Sequence, residues 1–138
     1  MNDAEFDALR AKIDQLVDWW AGSLGLKWWK ITSIFSREPL GHSAEGYKAG
    51  ARCDAQWEYL LADITFAMPD LLGLTDEDLE RVVVHELQHI FLNEMRHARG
   101  EDGSAHEERV ATMLTYAFLW LRDAAVKQGK DTKEQADG

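Results

Sequence analysis

The run His85-Glu86-Leu87-Gln88-His89 places two imidazoles four positions apart. On a helix such side chains lie one above the other on a single face. Ring nitrogens at that spacing can both reach one zinc ion. Glu86 sits one residue further round from His85. In a zinc hydrolase a carboxylate at that place does not bind the metal; it faces the metal-bound water and takes its proton. Val82-Val83-Val84 leads into the motif, so the stretch is expected to be buried. Two histidines and a glutamate buried without a partner would be costly, and a metal ion removes that cost.

Zinc in a hydrolytic site takes a third protein ligand and keeps a fourth position open. The downstream candidates are Glu94, His97, His106, Glu107 and Glu108. Glu94 and His97 lie on the same helix as the motif, too far along to fold back. His106 falls in a turn region. Glu107 stands third after Ser104, where Ser104-Ala-His-Glu107 reads as a capping box that occupies its carboxylate on a backbone amide. Glu108 has no such duty, and Ala111, Thr112 and Thr115 line its face with small residues. Glu108 is therefore favoured over Glu107 and over the histidines. Thr112, one turn on, is placed to hydrogen-bond a ligand from behind. The 18 residues between His89 and Glu108 suit an antiparallel return through a loop over Arg99–Ser104.

The elements that must hold these residues can be read from periodicity. Phe6, Leu9, Ile13, Leu16, Val17 and Trp20 recur at helical spacing, which predicts a helix over 3–21 closed by Gly22 and Gly25. Lys27 to Phe35 reads as a strand. Pro39 to Gly50 reads as loop. Ala51 to Trp57 is a weak strand, and Glu58 to Met68 a stronger one stopped by Pro69. Thr75 is an N-cap, with acids behind it where a helix dipole favours them, so a helix is expected from about Asp76 to about His97. A last helix is expected from Ser104 to about Lys127, followed by a disordered polar tail over 128–138. The order gives an α+β class: N-terminal helix, small three-stranded sheet, motif helix, glutamate helix. Residues 1–127 form one domain, which suits a chain of 138 residues.

Composition narrows the partners. Lys+Arg number 15 against Asp+Glu 25, a formal net charge of −10. Nucleic-acid binding needs a basic footprint that is missing here, and anionic membranes are disfavoured for the same reason. No apolar run is long enough to span a bilayer, and the acidic N-terminus is not a secretory signal, so a cytoplasmic protein is expected. Cys53 is the lone cysteine; it cannot form an internal disulfide and reads as a half-buried small residue. Trp19, Trp20, Trp28 and Trp29 read as packing of the first helix on the sheet, with one of Trp28 and Trp29 less buried because neighbours on a strand face opposite ways. His42 reads as a solvated loop residue.

The chain as a whole, over roughly residues 20–122, resembles the gluzincin metallopeptidases, in particular the small phage-type members called minigluzincins. Leu24-Gly-Leu-Lys-Trp-Trp-Lys-Ile31 is similar to that family's first strand. Leu61-Ala-Asp-Ile-Thr-Phe66 resembles its edge strand above the zinc. Glu80 to His89 resembles the active-site helix, and Glu107-Glu-Arg-Val-Ala111 the glutamate helix. The resemblance implies a minimal zincin-like domain, a zinc cofactor (Zn2+) bound by His85, His89 and Glu108, and Glu86 as general base. It also implies a peptide or protein substrate paired along the edge strand by main-chain hydrogen bonds, and a phage or prophage origin. Gln88 departs from the pattern, since an apolar residue is commoner there. His97, His106 and Tyr116 are all candidates to stabilise the oxyanion, although Tyr116 also reads as core beside Phe118, Trp120 and Leu121. The alternative reading is a non-enzymatic interaction domain on the same scaffold, with a structural zinc or none.

Overall fold

In the computed structural model, residues 1–41, 50–99 and 103–137 are described, the side chains of 95–99, 103–105 and 137 excepted. The predicted behaviour of His42 and of the side chain of His97 lies outside them.

Helix α1 covers Asp3–Ser23. Asn2 and Glu5 open it as a reciprocal cap: Glu5 N–H donates to Asn2 Oδ1 at 2.8 Å, and Asn2 N–H to Glu5 Oε2 at 2.9 Å. Its end is a Schellman turn, in which Leu26 N–H donates to Ala21 O at 2.9 Å around Gly25 at φ +78°. That turn continues through Trp29, whose N–H donates to Leu26 O, so strand β1 begins at Lys30 rather than Lys27 and covers Lys30–Ser36. Trp28 is 86% exposed and Trp29 half-buried. The expected difference between them holds, but it arises from the turn and not from strand alternation. On α1, Trp20 is buried and Trp19 half-exposed.

Strand β2 covers Ala51–Gln56. A single 3-10 turn, Trp57–Tyr59, follows and closes on Leu60 in the left-handed region. Strand β3 therefore starts at Leu61, three residues later than predicted, and covers Leu61–Ala67. The sheet order is β1-β3-β2, with β1 parallel and β2 antiparallel to β3. This corrects the expectation for Leu61–Phe66: it is the central strand, not an edge. Burial explains the placement. Ala62, Ile64 and Phe66 are fully buried on one face, whereas β2 offers only Ala51, Cys53 and Ala55 to that face. Cys53 is half-buried, as expected.

Helix α2, Met68–Leu71, is one turn that carries Pro69 at its start. Helix α3 covers Asp76–Arg99 and α4 covers Gly103–Asp137. Thr75 caps α3 as predicted, accepting from Asp78 N–H at 3.1 Å. The core is a two-layer filling between the sheet and the helices. Leu9, Ile13, Val17 and Trp20 of α1 and Leu79, Val83, Val84, Leu87 and Ile90 of α3 cover Ile64 and Phe66. Helix α4 packs beside α3 and buries Glu107, Ala111 and Thr115.

Two expectations for α4 are corrected. The tail over 128–138, expected to be disordered, is helical through Asp137; its Ala, Lys, Gln and Glu residues have high helix propensity and no proline interrupts them. Tyr116 is 54% exposed, and Trp120 and Leu121 are also exposed. Tyr116 lies under the Arg81 guanidinium of α3, 5.4 Å from the ring. Among the described residues, no helix is long and apolar enough to cross a membrane.

Candidate metal centre

Helix α3 carries His85 and His89 one turn apart, and their rings meet edge to face with centroids 4.9 Å apart. Helix α4 returns antiparallel and brings Glu108 across them. Glu108 Oε2 lies 3.2 Å from His85 Nε2, and Glu108 Oε1 lies 3.0 Å from His89 Nε2. The two Nε2 atoms are 3.2 Å apart. Three donors on two helices thus converge on one point. Three ligands held tetrahedrally about 2.0–2.1 Å from a zinc ion would themselves be about 3.3 Å apart. The two Nε2 atoms, 3.2 Å apart, fit that requirement; the Glu108 carboxylate straddles them, each oxygen nearest a different ring, and one ligand atom from each of the three residues lies within 4.8 Å of the others. Two imidazoles with one carboxylate are a zinc donor set.

The orientation of His89 is fixed from behind. Its Nδ1 donates to Glu107 Oε1 at 2.7 Å, and both groups are well shielded from solvent. That bond leaves Nε2 facing Glu108, the tautomer a metal ligand needs. Glu107 was assigned to capping Ser104 by its spacing. The structure instead starts α4 at Gly103 and spends this carboxylate on His89. The missed signal was periodicity: Glu107, Ala111 and Thr115 recur every fourth residue on the face of α4 that is buried. Thr112 does not reach the Glu108 carboxylate as expected. Its hydroxyl donates to the Glu108 main-chain carbonyl at 2.9 Å, the usual fate of a threonine inside a helix.

The charges of the cluster are strongly coupled. Hydrogen bonds from His85 and His89 hold the Glu108 carboxyl well below the usual carboxylate range, against the opposing effect of burial. Burial alone would pull His89 down, but the carboxylates of Glu108, Glu86 and Glu107 outweigh it and push the ring up to about 9. The carboxylates around the two rings thus favour positive charge at this point. Glu86 lies on the same side of α3, buried, and is not one of the three converging donors. Burial raises its pKa; the two histidines oppose that, while Glu108 and Asp54 of β2 add to it. Asp54 is a neighbour that sequence reasoning did not single out, and it marks β2 as the strand beside this part of α3.

Of the other candidates, His106 is exposed and Tyr116 is about two turns along α4 from Glu108. Gln88 is fully buried, with its Nε2 donating to Val84 O at 3.2 Å and its Oε1 meeting no hydrogen-bond partner among the described residues.

Comparison with protein-family models, with curated proteins and with solved structures finds no match for this chain.

Proposed function

We propose that this protein is a zinc-dependent metallopeptidase that hydrolyses peptide bonds in a peptide or protein substrate. The observation that carries the reading is the convergence of His85, His89 and Glu108, one ligand atom from each within 4.8 Å of the others, with buried Glu86 beside them. The reading agrees with the resemblance of the two helix motifs to the gluzincins. A zinc ion held by the three residues would supply a Lewis acid that polarises the substrate carbonyl and acidifies water. The remaining work falls to the chain itself. Glu86 takes the proton of the attacking water as its oxygen adds to the carbonyl carbon. It then delivers that proton to the amide nitrogen as the carbon–nitrogen bond breaks. A carboxylate with a raised pKa binds that proton more readily than an ordinary one. Glu107 keeps the His89 ring in register throughout.

The test is metal content and turnover on the same preparations. Wild type should carry one zinc per chain, and His89→Ala and Glu108→Ala should lose it. Glu86→Gln should retain the zinc and lose about 10²–10⁴-fold in hydrolysis of a peptide library. A chain that binds no zinc even after its addition, or a Glu86→Gln variant with full turnover, would overturn the reading. The first result would leave an interaction domain on this scaffold.

A further inference from the structure

We propose that Arg81 and Tyr116 form a carboxylate-binding pair, which selects substrates that carry a carboxylate one or two residues from the bond that is cut. The inference rests on the metallopeptidase reading and adds the class of substrate to it. On α3, Arg81, His85 and His89 stand four positions apart and form one ridge. On α4, Glu108, Thr112 and Tyr116 form another at the same spacing. The ridges meet at two levels. His85 faces Glu108 at 3.2 Å, and the Arg81 guanidinium lies over the Tyr116 ring at 5.4 Å. The metal ligands thus occupy one end of a shallow track, and Arg81 with Tyr116 occupies the other. Thr112 lies between them, exposed, with its hydroxyl turned back to the Glu108 carbonyl.

The two arginines of the α3–α4 contact differ in how their donors are used. Arg122 spends all three of its nitrogens on Glu80 and Asp123. Arg81 donates to Asp78 Oδ1 through Nη1 alone, at 2.9 Å. Among the described residues its other N–H groups and the Tyr116 hydroxyl meet no hydrogen-bond partner. The Arg81 side chain is 45% exposed and Tyr116 54%, so a ligand can reach both. Asp78 and the ring beneath it hold the guanidinium in place. Its remaining N–H groups can take a carboxylate through parallel hydrogen bonds, and the phenol adds a neutral donor.

Neighbours on such a ridge are about 6 Å apart along the helix axis. That is the span of one or two residues of extended peptide, at about 3.3–3.6 Å each. A peptide whose scissile carbonyl lies at the metal therefore brings a carboxylate one or two residues away to Arg81. A C-terminal carboxylate and an acidic side chain offer the same group, and the test separates them.

The Glu86→Gln protein, which keeps the three zinc ligands and lacks the general base, is offered a randomised hexapeptide library as free acid and as C-terminal amide. Retained peptides are identified by mass spectrometry. Peptides with a carboxylate should be retained about tenfold over neutral amides. Retention of free acids that lack acidic side chains assigns the terminal carboxylate; enrichment of aspartate or glutamate among the amides assigns the side chain. Combined with Glu86→Gln, Arg81→Gln should abolish the preference, and Arg81→Lys should reduce it because an ammonium lacks the fork. Tyr116→Phe keeps the ring under the guanidinium and should weaken the preference about two- to threefold. Equal retention of acidic and neutral peptides overturns the proposal, and so does a preference that survives Arg81→Gln. Cleavage of the same libraries by wild type keeps the two readings apart. Neutral amides cut as fast as acids would uphold the metallopeptidase and overturn the carboxylate pair. Acids retained with nothing cut would overturn the metallopeptidase and leave the carboxylate site standing.

Discussion

Helices α3 and α4 are joined by two polar clusters, one near each end of their contact. At one end Glu80 accepts from Arg122 through both guanidinium Nη atoms, at 2.9 and 2.7 Å, and from Trp20 Nε1 at 3.0 Å. At the other end His85, His89, Glu107 and Glu108 face one another. The first cluster is complete. The Glu80–Arg122 geometry is bidentate, a neutral donor fills a further lone pair of Glu80, and Arg122 Nε donates to the exposed Asp123 at 2.7 Å, so three helices are tied and the guanidinium is fully paired. The second has two carboxylates and two imidazoles, with three donor atoms aimed at a common point and Glu86 close by. Its members pair as a makeshift. They would be better satisfied by a dication, whereas nothing could be added to the Glu80–Arg122 pair. The difference separates a polar cluster that holds a fold from one poised for chemistry, and it can be tested from both sides.

The largest effect on folding should come from Arg122→Ala. Removing the guanidinium leaves Glu80, whose side chain is 16% exposed, without its main counter-charge. Because the Arg122 side chain is itself 28% exposed, water recovers part of the loss. A destabilisation of about 2–3 kcal/mol is expected in urea unfolding, with zinc stoichiometry unchanged. Loss of zinc from a folded Arg122→Ala chain would break the distinction between the two clusters. Glu107→Gln should show the converse. It keeps the shape but weakens the grip on His89, so zinc affinity should fall about 10–100-fold in a competition titration. Unfolding of the metal-free protein should change far less than in Arg122→Ala. A Glu107→Gln chain that binds zinc as tightly as wild type would reduce this carboxylate to packing.

The sequence carried these two clusters unequally. The histidine pair was legible because both residues lie on one helix, where spacing alone fixes their geometry. Glu108 was legible only through the return of α4 and the small residues beside it. Glu107 was misread, since a local capping pattern and a long-range contact compete for the same carboxylate and only packing decides between them. Arg122 and Glu80 lie 42 positions apart, and nothing in their local context announces the pairing. The sheet shows the same limit. Each strand was visible in its composition, but their order was not, because a parallel β1–β3 pair skips over β2. The apolar alternation of Ala62, Ile64 and Phe66 was the available sign of a central strand. Helix over the polar tail was illegible for another reason: with no apolar stripe, only intrinsic propensity favours it.

The smallest effect expected is also the one that sharpens the comparison, because it dissects the complete cluster without touching the other. The Arg122 hydrogen bonds hold Glu80 below its ordinary pKa of 4.5, with Trp20 helping and burial opposing. A carboxyl whose folded pKa is depressed stabilises the fold fully above its unfolded value, and that contribution fades as pH falls toward the folded value. The difference in unfolding free energy between wild type and Arg122→Ala should therefore stay level between about pH 7 and about pH 5 and narrow below about 4.5. Measuring a difference cancels the titration of carboxylates whose surroundings are the same in both chains, leaving Glu80 and Asp123, of which Asp123 is 71% exposed and Glu80 is the shielded one. Salt should shift the gap little, since the pair is mostly shielded from solvent. A gap that stays constant to the foot of the acid transition would mean that Arg122 acts through its stacking near Trp20, 5.7 Å from the ring, and not through charge. The complete cluster would then be a packing device with an ion pair attached.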